Sequence, residues 1–171
     1  MTSLNRDEKN QSESLYKKDT GDQQQMLIDC GYSEKAVRYY IEQPYMGNLP
    51  DADQISEMLG TCGDTMKIFL KIDDNTITDI RYQVLGCPGA ISASMAAVDL
   101  VKGKSIEKAR KLNDGDVFNQ LVDIPVKKHH CIQLAVKTLH KAIDEYRNGH
   151  SELKDVKCPA VCAEPQECCK K

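Results

Sequence analysis

Two runs of alternating residues most constrain what this chain can fold into. Met66, Ile68, Leu70 and Ile72 alternate with Lys67, Phe69 and Lys71. Ile80, Tyr82 and Val84 alternate with Asp79, Arg81 and Gln83. A period of two sends one set of side chains to a core and the other outward, which describes a β-strand with one covered face. Between the runs, Asp73-Asp74-Asn75 supplies turn chemistry, so the pair reads as an antiparallel hairpin. The turn centre lies between Asp74 and Asn75. Cys62 is as far before that point as Cys87 is after it, so the hairpin carries both cysteines to its open end.

The flanking segments read as helices and loops. Residues 1–25 are polar and charged, with three consecutive glutamines at 23–25, and are expected to form a flexible arm. Ser33 is a good N-cap for a helix through about Ile41, with Val37, Tyr40 and Ile41 as its apolar face and Pro44 closing it. Residues 44–60 hold two prolines, Gly47 and Gly60, and read as a loop with one short extended piece. After Cys87 the period changes. Pro88 suits a first helical turn, and Ile91, Met95, Val98 and Val101 recur at helical spacing among small Ala and Ser residues up to Gly103. Ser105 caps a short helix over 106–111, and Asn113 or Asp114 starts another carrying Val117, Phe118 and Leu121. Pro125 breaks the pattern. A last helix runs from His130 or Cys131 to Arg147, with the stripe Ile132, Val136, Leu139, Ile143 and Tyr146, and Gly149 is expected to end it. The expected fold is a single α+β domain over 26–149, a small three-stranded antiparallel sheet packed by helices. Residues 150–171 form a charged tail with Cys158, Cys162, Cys168 and Cys169.

Composition excludes several functions. A net charge of -3 and a pI of 5.8 give no global basic field for nucleic acid. No apolar run is long enough to span a bilayer, and the N-terminus lacks a secretory pattern, so a cytoplasmic protein is expected. Eight cysteines in a reducing compartment point to ligands or reactive thiols rather than disulfides.

The chemistry gathers in three short stretches: Cys62-Gly63-Asp64, Gly86-Cys87-Pro88-Gly89 and Lys127-Lys128-His129-His130-Cys131. Each lies at the end of a predicted element. Cys87 and Cys131 sit at helix N-terminal edges, where exposed N–H groups and the helix dipole favour thiolate. If a strand starts at Cys62, Cys62 and Asp64 point the same way with Gly63 as hinge. Three thiolates and one carboxylate bind Zn²⁺ or iron. Oxygen is a poorer ligand than thiolate for a sulfide-bridged cluster, so Asp64 suits a site that releases what it holds. His130 is a fourth or exchangeable ligand, or takes the thiol proton. His129 reads as a polar loop residue. Cys30 lies just ahead of the Ser33 helix start, within approach of the site.

In these stretches the chain resembles the IscU/NifU-type iron–sulfur cluster scaffold family. The matching pieces are Tyr32-Ser33-Glu34-Lys35, Cys62-Gly63-Asp64-Thr65-Met66-Lys67, the strand pair, Gly86-Cys87 before the Ala/Ser helix, Val101-Lys102-Gly103-Lys104-Ser105, and Pro125-Val126-Lys127 before His130-Cys131. They span about residues 26–148. The resemblance implies that Cys62, Asp64, Cys87 and Cys131 hold a [2Fe–2S] cluster or a metal ion, with zinc in the cluster-free form. It makes Cys131 the acceptor of persulfide sulfur from a pyridoxal-phosphate cysteine desulfurase, and His130 the histidine beside it. It implies a scaffold that turns over no small substrate, passes its cluster to apo-proteins and forms dimers that bridge clusters.

The chain departs from the family at three points. The family's chaperone motif is Leu-Pro-Pro-Val-Lys followed by one residue before His-Cys. Here Asp123-Ile124 precede Pro125-Val126-Lys127, and Lys128 and His129 intervene before His130. That argues against recognition by a dedicated Hsp70-type chaperone. The arm is longer than the minimal unit. The Cys-x3-Cys-x5-Cys-Cys tail is no standard closed zinc pattern; it reads as a plain disordered tail, an auxiliary metal or sulfur-relay segment, or a reversible disulfide. Three rival functions remain. A zinc-binding sulfur acceptor that regulates a desulfurase would use the same residues. A zinc hydrolase would need a general-base Glu beside the ligands, and there is none. A [2Fe–2S] electron carrier would need four strong ligands, which Asp64 denies it.

Overall fold

The computed structural model describes residues 21–154. Within them the hairpin is present: β2 (Thr65–Asp73) pairs antiparallel with β3 (Thr76–Leu85). Asp74 and Asn75 both take positive φ, 43° and 62°. That is the two-residue turn whose twist matches the strands, and Asp and Asn tolerate it. Met66, Ile68, Leu70, Ile72, Ile80 and Tyr82 are buried on one face, as their alternation requires. Phe69 points to the other face yet is only 5% exposed. It lies between Ile55 and Arg81 in the strand register, with the Lys67 ammonium 5.7 Å from its ring centre.

The register departs from simple symmetry. Ile72 pairs with Ile77 but Lys71 pairs with Asp79, which leaves Thr78 as a bulge. Towards the open end the pairs continue to Thr65 and Leu85, and the same register carried further puts Gly63, not Cys62, opposite Cys87.

The extended piece in 44–60 is a full edge strand. β1 (Gln54–Leu59) pairs antiparallel with β2, giving sheet order β1-β2-β3. Its inward Ser56 is buried and hydrogen-bonds the Glu145 carboxylate. A polar residue on the inner face hides the alternation from a sequence reading.

Helices cover the inner face. Residues 21–29 form α1, so the last five residues of the expected arm, 21–25, are helical rather than flexible, and α2 (Glu34–Glu42) follows, capped by Ser33, whose Oγ accepts from Ala36 N at 3.0 Å. Its fully buried residues are Ala36, Val37 and Tyr39; of the expected apolar face, Val37 is fully buried and Tyr40 and Ile41 are partly buried against the core. The difference follows from Tyr39, whose hydroxyl donates to Asp99 and accepts from Gln120. Helix α3 (Pro88–Val101) packs on β3, α2, α5 and α6. Ten of its 14 residues are buried, so it is covered nearly all round and shows no apolar stripe. Its small side chains allow this approach, and its buried serines are satisfied: Ser92 donates to Ala36 O at 2.7 Å and Ser94 to Ile91 O at 2.9 Å. The short α4 (Ile106–Ala109) and α5 (Asp114–Leu121) carry the expected caps at Ser105 and Asn113.

A 3₁₀ turn (Val126–Lys128) leads into α6 (His129–Lys154), which lies across β1 and β2. Tyr82 ties it down by donating to Ala135 O at 3.0 Å. Gly149 does not end this helix, which continues to Lys154. An interior glycine costs about 1 kcal/mol against alanine, a penalty rather than a stop. The arm residues 1–20 and the tail, including Cys158, Cys162, Cys168 and Cys169, lie outside the described residues. Among the described residues no helix is long and apolar enough to cross a membrane.

Candidate metal centre

The site forms where the open end of the hairpin meets the N-termini of α3 and α6. Asp64 is its centre. Its Oδ2 lies 3.4 Å from Cys87 Sγ and 3.8 Å from Cys131 Sγ, and the two sulfurs are 3.5 Å apart. His130 Nε2 is 3.4 Å from Cys131 Sγ. The donor atoms fall into two overlapping sets, Asp64-Cys87-Cys131 and Cys62-Asp64-His130. Within each set all atoms lie within 4.8 Å of one another.

Local sequence explains each position. Cys62 and Asp64 precede β2 rather than belonging to it, so strand alternation does not align them. Gly63 does so by taking φ +87°, a left-handed bend that other residues resist. Gly60 N donates to Asp64 O at 2.8 Å and closes the loop. A Cβ on Gly86 would lie 2.7 Å from Asp64 Cγ, so glycine there is what lets the carboxylate reach the sulfurs. Cys87 is the N-cap of α3, and Pro88 occupies the first helical position. Cys131 lies in the first turn of α6.

The two helix-end thiols do not behave alike. Cys87 is half-buried, and its thiol is pushed below the usual range, first by a hydrogen bond with Cys131, then by the Ala90 N–H. Cys131 has no exposed surface, and its thiol is pushed up by the Cys87 hydrogen bond, by burial, and by the charges of Cys87, Asp64 and Cys62. The expectation that both helix ends favour thiolate therefore holds for Cys87 and fails for Cys131. Two adjacent sulfurs share one proton, and the buried one keeps it.

Of the residues singled out from sequence, Cys62, Asp64, Cys87, Cys131 and His130 come together. His130 is not displaced by the unusual spacing before it. His129 faces away, with its ring edge-on to Phe118 at 5.2 Å. Cys30 is exposed and joins neither donor set among the described residues. Two neighbours escaped the sequence reading as site groups. The Tyr32 phenol is buried beneath the site and pushed up to about 12 by burial, then by Cys87 and Cys131. Lys128 packs its stem on Gly89, where a Cβ would meet Lys128 Cβ at 3.1 Å. The signal for Lys128 was its place three residues before Cys131, about one helical turn away.

Three soft sulfurs, a carboxylate and an imidazole are a donor set that fits zinc or an iron–sulfur unit.

The description "NifU-like N terminal domain" matches residues 31–152 of the chain. The iron-sulfur cluster assembly scaffold protein IscU 1 of Archaeoglobus fulgidus is 35% identical over 127 residues, which is 74% of this chain and 83% of that protein. The IscU scaffold protein of Aquifex aeolicus is 32% identical over 139 residues, covering 80% of this chain and 88% of its own. Among solved structures, a NifU-like N-terminal protein from Brucella abortus aligns with TM-score 0.58 at 19% identity, covering 71% of this chain and 98% of that one. A putative scaffold for the SUF system from Fervidobacterium islandicum gives TM-score 0.56 at 20% identity, covering 66% of this chain and 96% of its own; both share the fold. With its motifs, fold and donor set in agreement, the chain belongs to the NifU-like N-terminal domain family of iron–sulfur cluster assembly scaffolds.

Proposed function

We propose that this protein builds a [2Fe–2S] cluster from iron and desulfurase-derived sulfur and passes it to apo-proteins. Cys62, Asp64, Cys87 and Cys131 are the proposed cluster ligands, and zinc or iron fills the same donors before the cluster is built. The observation that carries this reading is the shared carboxylate. Asp64 reaches both donor sets, so a weak oxygen ligand joins an exposed half of the site to a buried half. A site that must let go of its cargo is served by that weak link.

In this reading the Cys131 thiolate attacks the outer sulfur of the desulfurase persulfide, and the S–S bond there breaks with the desulfurase cysteine leaving as thiolate. An external electron donor then reduces the transferred sulfur by two electrons to sulfide. His130, 3.4 Å away, takes the Cys131 thiol proton or serves as an exchangeable ligand. The Cys131 sulfur is fully buried. Delivery to it therefore requires the 60–64 loop or the Val126–Lys128 turn to move aside. The partners proposed are the desulfurase, apo iron–sulfur proteins and a second copy of the chain bridging a cluster. The domain limits proposed from sequence, 26–149 for the scaffold unit, are extended at the C-terminal side to Lys154 with α6.

The test is anaerobic reconstitution with Fe²⁺, cysteine, a cysteine desulfurase and a thiol reductant, followed by visible absorption and iron and sulfide analysis. The parent is compared with Cys62→Ser, Cys87→Ser, Cys131→Ser and a chain cut after Lys154. Stoichiometric iron and sulfide that need the three core cysteines but not the tail are expected. Tight zinc that blocks cluster formation while desulfurase activity changes would replace this reading with that of a sulfur-accepting regulator. Loss of the cluster on truncation would bring the tail cysteines into the ligand set.

A further inference from the structure

The donor set is strongly anionic. Three thiolates and a carboxylate bring four negative charges to one cluster, and the [2Fe–2S]²⁺ core returns only two. A one-electron reduction would add a further negative charge to an already anionic site. A nearby fixed cation therefore decides how readily that electron is accepted.

Lys128 is placed to supply that cation. It is half-buried, whereas its neighbour Lys127 is exposed. Its Cβ and Cγ lie against Gly89 in the first turn of α3, two residues from Cys87, where a Cβ on Gly89 would meet them at 3.1 and 3.4 Å. Lys128 N also donates to Pro125 O at 2.7 Å, which fixes the turn that aims the side chain. From that stem the ammonium lies in the field of Cys87 first, and of Cys131 and Asp64 after it. All three of these groups belong to the proposed ligand set. Lys128 has no carboxylate ion pair among the described residues, so its charge is not spent elsewhere.

We propose that Lys128 is the counter-charge of the site, a positioning residue whose ammonium raises the reduction potential of the bound cluster. The inference rests on the scaffold reading above. The step it governs is [2Fe–2S]²⁺ plus one electron giving [2Fe–2S]⁺, with dithionite as the donor in the test and no bond made or broken in the protein.

The experiment is a dye-mediated potentiometric titration of the reconstituted full chain. The parent is compared with Lys128→Gln, Lys128→Arg and Lys127→Gln. Lys128→Gln should make the reduction equilibrium at least tenfold less favourable, a shift of 59 mV to more negative potential for one electron. Lys128→Arg should restore the parent value, and Lys127→Gln should leave it unchanged. A second readout is amine acylation followed by mass spectrometry: cluster loading should protect Lys128 and leave Lys127 labelled as before. If the parent and Lys128→Gln load equal iron and sulfide but differ less than threefold in the equilibrium, the inference falls and the scaffold reading stands. If arginine fails to restore the potential, the effect is packing on Gly89 rather than charge, and the inference also falls. A parent chain that loads no cluster overturns the scaffold reading and this inference with it.

Discussion

The two halves of the site are built in opposite ways. Cys87 caps α3 half-buried at the edge of the core, and Cys131 stands in the first turn of α6, fully buried. Cys62 and Asp64 stand on a glycine-hinged loop, and Cys62 is exposed. The helix half is prebuilt, since its sulfurs cannot move without disturbing packing. The loop half is held by the Gly60–Asp64 hydrogen bond and a left-handed bend at Gly63. A scaffold needs both properties: a fixed floor on which cargo is assembled and a wall that opens. The largest test of this contrast is a pair of variants. Cys62→Ser and Cys131→Ser should both abolish stoichiometric loading of iron and sulfide. Only Cys131→Ser should also lower the urea midpoint, because it puts a hydroxyl in a buried place, at about 1–3 kcal/mol. Equal loss of stability in both would mean the loop is as much part of the core as the helix ends are.

The next largest effect probes the joint between the halves. Gly86→Ala would put a Cβ 2.7 Å from Asp64 Cγ and 2.9 Å from its Cβ and Oδ1. The carboxylate must swing off the sulfurs and into the space the cargo fills, so loading should fall at least about tenfold, while strain costs about 1–3 kcal/mol of stability. Loading that survives intact would show that Gly86 does not control where the carboxylate lies. A milder cut removes the carboxylate. Asp64→Ala should still load a cluster but hand it over more slowly, by about tenfold, or ~1.4 kcal/mol of barrier. Transfer to an apo-ferredoxin, followed by circular dichroism, measures this, and unchanged kinetics would remove the weak-ligand argument.

The helix half was easier to read from sequence than the loop half, for physical reasons. Strand alternation, the Asp74-Asn75 turn, Pro88 and the Ser33 and Asn113 caps are local signals, and each produced its element. The convergence of the three cysteines followed from them. The route by which Cys62 arrives did not. Counting residues to the turn assumes an unbroken ladder, and the Thr78 bulge shifts that ladder by one residue. Gly63, rather than strand symmetry, aims Cys62 and Asp64. β1 was obscured because its inward Ser56 is satisfied by Glu145, 89 residues away, a partner no local window contains. The unequal protonation of Cys87 and Cys131 was likewise illegible, since it depends on a 3.5 Å contact between sulfurs 44 residues apart in the chain. Lys128 was not set apart from Lys127 because sequence alone does not say which side chain of a 3₁₀ turn lies on Gly89.

The smallest expected effect concerns what keeps the helix half rigid. Tyr39 on α2 donates to Asp99 on α3, and Tyr45 donates to the other oxygen of the same carboxylate at 2.5 Å. This clamp holds α3 from its side, away from the ligands. Tyr39→Phe should therefore lower stability by about 1 kcal/mol, the net worth of one hydrogen bond, while leaving iron and sulfide loading at the parent level. The pH dependence has a definite sign. Burial and the Asp99 hydrogen bond push the Tyr39 phenol from 10.0 up to about 12. The hydroxyl's contribution is then fully present below pH 10 and is lost as pH rises towards 12. Urea midpoints of parent and Tyr39→Phe should differ most below pH 10 and converge above it. If loading falls along with stability, the floor of the site is not independently rigid. The contrast between fixed helix ends and an opening loop would then have to be drawn elsewhere in α3.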